Sequence, residues 1–134
     1  MREYLFRGKS VGTGKWIEGF YCGENCEHPF SRNMVEKPYI IRKGTGFWFE
    51  VIPETVGQFT GLTDKNGKKI FEGDVIRAYS EIGGYDFTAE VEWGNFIKGW
   101  YCGKHRPMYD GFNNEYEVIG NKWDNPELLE GGAE

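Results

Sequence analysis

"YDFTAEVEW", residues 85–93, decides the fold. Tyr85, Phe87, Ala89, Val91 and Trp93 alternate strictly with Asp86, Thr88, Glu90 and Glu92. A period of two over nine residues belongs to a β-strand with one apolar and one wet face. In "EYEVIG" (115–120) Tyr116 and Val118 alternate with Glu115 and Glu117 until Ile119 ends the pattern.

The spacing of helix breakers extends that reading to the whole chain. Twenty Gly and five Pro are distributed so evenly that no window free of both exceeds nine residues. Ordinary helices average about eleven or twelve residues, and an interior Gly costs roughly 1 kcal/mol, a Pro about 3. Val, Ile and Thr number 22, all suited to a pleated surface.

Working outward, "KKIFEGDVIRAY" (68–79) predicts a short strand, a turn at Glu72-Gly73 and a second strand over Asp74–Tyr79. Tyr4–Arg7 and Trp16–Cys22 predict a hairpin around a polar loop holding Gly8, Gly12 and Gly14. Residues 23–36 predict an ordered loop or a short helical turn. "PYIIRKGTGFWFEVI" (38–52) resumes strand character, broken at Gly44–Gly46. In "WDNPELLE" (123–130), Asn125 as cap and Pro126 at the first helical position predict one short turn. The expected architecture is all-β. It is a single compact domain over residues 1–130, made of short, mostly antiparallel strands. These form a partly open barrel or SH3-like core with additional hairpins and at most short helical turns, and residues 131–134 are a frayed tail.

Length and composition bound the function. A chain of 134 residues is one domain on length alone and can bury a real core. Ten Phe, eight Tyr and five Trp stand against seven Leu and Ala together, so some rings are expected at a partner surface. Homo-oligomerisation is the mildest form of that expectation. Sixteen basic residues against 21 acidic leave a net charge of −5, which weakens a nucleic-acid reading. "MREYLFRGKSVGTGKW" carries charge throughout and no signal-peptide core, and no apolar run approaches the length of a membrane span. The expected location is the cytoplasm, with no membrane partner. The odd set Cys22, Cys26 and Cys102 reads as reduced thiols rather than a disulfide scaffold.

"GLTDKNGKKIFEGDVI" (61–76) invites a metal or phosphate reading and resists both. A calcium loop needs Gly at its sixth position, whereas counting from Asp64 places Gly67 fourth, with lysines following. A phosphate loop needs a Gly-rich run and a lysine-plus-hydroxyl ending that this stretch lacks. The reading that remains is structural. Asp64, Asn66 and Gly67 form one turn, and Gly73 and Asp74 belong to another, with Asp64 accepting local backbone hydrogen bonds.

The run "IPETVGQFTGLTDKNGKKIFEGDVI" (52–76), with "YEVIGNKWDNPELL" (116–129), resembles the YopX family of phage and prophage proteins. The opening "YLFRGKSVGTGKWIEGF" (4–20) is similar to that family's beginning, so the likeness spans nearly the whole chain. Phe59 stands where Tyr is common in the family. The resemblance implies a mostly β fold and a phage or prophage origin. It brings no catalytic or ligand residues to carry over.

Three constellations could carry chemistry. Cys22, Cys26 and His28, with Cys102 and His105, offer two close-spaced ligand pairs for tetrahedral zinc. Cys22 and Cys102 sit in aromatic runs that favour burial, so zinc is the lesser reading and no cofactor is expected. Glu90/Glu92 and Glu115/Glu117 read as a solvated face rather than an acid–base pair, since nothing separates their surroundings. In "WGNFIKGWYCGKHRPMY" (93–109), Phe96, Lys98, Trp100, Tyr101, Lys104, His105 and Arg106 interleave bases and rings, a pattern that holds single-stranded nucleic acid. Trp100 and Tyr101 are adjacent, however, so on a strand they point to opposite faces. There is no G-x-S-x-G, H-E-x-x-H or dinucleotide fingerprint. The expected role is a non-catalytic protein-interaction or assembly module whose partner is itself or another phage or host protein. The alternatives are a nucleic-acid-binding β module and a small Cys/His metalloprotein or enzyme.

Overall fold

A computed structural model describes residues 5–23, 37–80, 85–94, 99–102, 108 and 115–129. Among them are ten strands and two single-turn 3-10 segments. The strands are β1 (Phe6–Lys9), β2 (Trp16–Cys22), β3 (Tyr39–Arg42), β4 (Trp48–Glu50), β5 (Gly57–Thr63), β6 (Lys69–Phe71), β7 (Asp74–Ser80), β8 (Tyr85–Gly94), β9 (Gly99–Cys102) and β10 (Tyr116–Asn121). Every pairing is antiparallel. The order is β4-β3-β2-β1-β5-β6 in one sheet and β10-β7-β8-β9 in the other. The fold is all-β, as the alternation and the breaker spacing require. Contacts divide the chain into two compact units, Met1–Gln58 and Phe59–Glu134, and β5 runs across the boundary. Its first two residues pair with β1 and the remainder pairs with β6.

In the first unit β1 to β4 form a ring. Consecutive hairpins join β1 to β2, β2 to β3 and β3 to β4. The chain leaving β4 then returns to the end of β1 through the Ser10–Val51 bridge, where Val11 N–H donates to Glu50 O and Ile52 N–H to Lys9 O, both at 2.9 Å. The 3-10 turn Pro53–Thr55 fastens this closure. Thr55 Oγ1 accepts from Lys9 N–H at 2.9 Å and donates to Ile52 O at 2.6 Å. Inside the ring lie Ile17, Ile40 and Val51, with Phe6, Phe49 and Val56 packed against them. Gly8 belongs to β1 and not to the loop the sequence suggested, because a side chain there would press on Val51, 3.0 Å away.

In the second unit the core gathers Leu62, Ile70, Ile76, Ala78, Ala89, Val91, Cys102, Met108 and Tyr116. Ala89 and Val91 of the deciding stretch face it, as their alternation requires, but Trp93 at the strand end is 41% exposed. The β5–β6 register shifts between Phe59 and Thr63. There the Thr60 hydroxyl stands in for the ladder, donating to Ile70 O at 2.8 Å and accepting from Leu62 N–H at 3.0 Å. The Pro126–Leu128 turn forms where Asn125 and Pro126 place it, though the Asn125 side chain does not cap it. Its Oδ1 instead accepts from Asn121 N–H at 3.2 Å.

Candidate functional site

In the second unit the side chains of Asp64, Asp74 and Asn121 converge on backbone groups. Asp64 is buried, and its Oδ1 accepts from the N–H groups of Asn66 and Lys68, each at 2.9 Å. Its Oδ2 reaches 54 residues along the chain to accept from Val118 N–H at 2.9 Å. Lys65 N–H donates to Tyr116 O beside it, also at 2.9 Å. Together they cover the side of β10 that does not pair with β7. Burial pushes the Asp64 carboxyl up, but the Val118, Lys68 and Asn66 N–H groups, aided by the Lys68 charge, outweigh it and hold the pKa below the ordinary value.

Asp74 is buried too, and its Oδ2 accepts from Phe71 N–H at 2.8 Å, closing the Glu72-Gly73 turn. Gly73 N–H donates to Val91 O at 2.9 Å and Gly73 O accepts from Lys122 N–H at 3.0 Å. Asn121 completes the arrangement: Oδ1 accepts from Trp123 N–H (3.1 Å) and Asp124 N–H (2.9 Å), while Nδ2 donates to Asp124 Oδ2 (3.2 Å). These groups tie the "DKNGK", "EGD" and "GNKWDNPEL" stretches into one scaffold. Their carboxylates are engaged by N–H donors, the state of a structural brace.

The carboxylate pairs also differ from a plain solvated face. Glu90 lies 3.1 Å from Lys122 Nζ and Glu117 3.6 Å from Lys65 Nζ, each acid half-buried. Charge pairing, and not water alone, therefore surrounds Glu90 and Glu117.

Among the described residues, an open apolar surface lies on the first unit. Register sets Phe20 of β2 opposite Ile41 of β3, and Ile41 opposite Trp48 of β4. This apolar row faces away from Ile17, Ile40 and Phe49. Phe20 is 58% exposed, and Phe47, just before β4, is 64% exposed. The Tyr39 and Trp48 rings meet edge to face with centroids 5.7 Å apart. On the same outward face the Arg7 guanidinium sits 4.7 Å, and the Lys9 ammonium 5.7 Å, from the Trp16 ring centre. Sequence reading missed this row. The signal was present in "FY" (20–21) and "FWF" (47–49): adjacent rings on a strand point to opposite faces, so one of each set must leave the core.

The sequence-predicted candidates fare unevenly. Cys26, His28, Phe96, Lys98, Lys104, His105 and Arg106 lie outside the described residues. Trp100 and Tyr101 are on β9, in register with Trp93 and Glu92. Cys102 is buried in the second core and is not part of a disulfide. Cys22 is buried and disulfide-bonded, so the expectation of reduced thiols fails at that position. Among the described residues no group of three or more His, Cys, Asp or Glu could hold a metal ion. No described helix is long and apolar enough to cross a membrane.

Comparison with known proteins places this architecture. A crystal structure of protein EF1440 from Enterococcus faecalis superposes with a TM-score of 0.57 at 22% identity, covering 97% of this chain and 100% of that one. At that identity the likeness is one of fold. No curated protein matches the chain. Residues 5–130 match the family described as YopX protein, over the same central blocks that build the Asp64 and Gly73 scaffold. The chain belongs to the YopX family of phage and prophage proteins.

Proposed function

We propose that this YopX-family protein is a non-catalytic interaction or assembly module, acting through protein contacts made by the outward apolar row of its first unit. The outward line Phe20–Ile41–Trp48, in which Phe20 is exposed and Ile41 and Trp48 are half-buried, with exposed Phe47 beside it, carries the reading. Aromatic side chains left in water beside half-buried apolar ones are the raw material of a buried interface centre.

Charge favours a protein partner over nucleic acid. The first unit has eight basic and seven acidic residues, while the second has eight basic and fourteen acidic. The outward row therefore sits on a nearly neutral body, without the excess of cations that a phosphate backbone rewards. The most buried carboxylates, Asp64 and Asp74, hold backbone N–H groups, which supports a non-catalytic role.

Light scattering of the full chain, carried to about 100 µM to reach weak dimers, tests the favoured partner, a second copy. A concentration-dependent mass increase, reduced by Phe20→Glu, is expected. A monomer at every concentration that binds single-stranded oligonucleotide in a salt-sensitive manner would transfer the surface to nucleic acid.

A further inference from the structure

Asn66–Gly67 is the one Asn-Gly pair in the chain, and Asn66 is exposed. In a flexible peptide the Gly nitrogen attacks the Asn side-chain carbonyl carbon, since no Cβ hinders its approach. The new C–N bond closes a five-membered succinimide and the side-chain nitrogen leaves as ammonia. Water then opens the ring at either carbonyl, giving aspartate or isoaspartate, the latter with an extra methylene in the backbone. Solvent water is the only co-reactant.

The turn holds that nucleophile in place. Gly67 N–H donates to Asp64 O at 3.0 Å, with the Gly in the left-handed region at φ 81°. The N–H groups of Asn66 and Lys68 both donate to Asp64 Oδ1, and Asp64 N–H donates to Lys68 O at 2.8 Å. Both peptide units flanking the reacting bond are therefore clamped to one residue. The same residue's other oxygen covers Val118 N–H on β10.

We propose that Asn66–Gly67 is a deamidation site gated by Asp64: shut while the turn is clamped and reactive when it opens. Isoaspartate at position 66 then prevents the clamp from re-forming and withdraws Asp64 from Val118. The lengthened backbone between Asp64 and Lys68 cannot place both N–H groups on one carboxylate oxygen. The modification thus converts a local opening into a permanent one, leaving the Val118 N–H on the outer side of β10 without its acceptor.

Full-length wild type, Asp64→Ala and Gly67→Ala, aged in mildly alkaline buffer with and without denaturant, provide the test by peptide mass mapping. Wild type is expected to exchange side-chain NH for O at residue 66 at least about tenfold faster in denaturant than folded, because folded-state reaction waits on local opening. Folded Asp64→Ala approaches the denatured rate, and Gly67→Ala reacts slowly in both states. Should Asp64→Ala not fold, hydrogen exchange on the wild type decides: the Val118 amide exchanges faster in isoaspartate-containing chains than in unaged ones. Equal wild-type rates with and without denaturant, a folded Asp64→Ala as slow as wild type, or unchanged Val118 exchange after modification would each overturn the proposal.

Discussion

Gly73 lies directly against the ring of Trp123, and no side chain fits between them. Its φ of 88° adds a second demand, because only Gly adopts that region without strain. Gly73→Ala is therefore expected to destabilise the protein by about 3 kcal/mol, combining left-handed strain with overpacking. Urea unfolding measures it. Trp123→Ala in the same chain is expected to recover the packing part only, so the two substitutions will be non-additive.

Asp64→Ala removes the acceptor of three backbone N–H groups at once. Hydrogen bonds to a charged group are worth about 1.5–3 kcal/mol each and their losses overlap, so a cost of about 3 kcal/mol is expected. The pH dependence has a definite sign. The unfolded carboxyl titrates at the ordinary 3.8 and the folded one below it. Its contribution is complete above pH 3.8 and disappears as pH falls through the lower folded value. Wild type and Asp64→Asn, compared by thermal unfolding along that range, are expected to converge at the acid end.

The Arg77–Asp86 pair has good geometry, with Nε and Nη2 donating at 2.9 and 2.7 Å. The hydrogen bonds to Asp86 raise Arg77, and those from Arg77 lower Asp86. Both side chains are half in water. Arg77→Ala is thus expected to move Tm slightly at low salt and less as salt is added, a result that a melting series in rising NaCl will read.

The two faces of β2 and β3 are expected to respond in opposite ways. Ile40→Ala, inside the ring, opens a cavity costing about 3 kcal/mol. Phe20→Ser, on the open row, is expected to stay within about 0.5 kcal/mol of wild type. Its effect belongs in the association measurement.

Alternation and glycine spacing made the strands legible: Tyr85–Gly94, Trp16–Cys22 and the pair Lys69–Phe71 with Asp74–Ser80 stand where the residues indicate. Pairings between distant segments were not legible. Nothing local in "GLTDKNG" says that Asp64 will reach Val118, because the partner is a backbone group and any residue but Pro supplies one. The closure of β4 onto β1 is equally silent, resting on Ser10, Val51 and the Thr55 hydroxyl. The exposed row was legible in principle, since paired rings on a strand cannot both be inside.

With the end of β4 zipped to the start of the β1 turn through Ser10 and Val51, a visiting peptide cannot enlist main-chain groups there by adding itself as another strand. A partner engaging that closed edge would have to be discriminated through side-chain shape. Single-residue changes on the outer wall are accordingly expected to abolish recognition outright, whereas extended peptide mimics of a partner's backbone compete poorly.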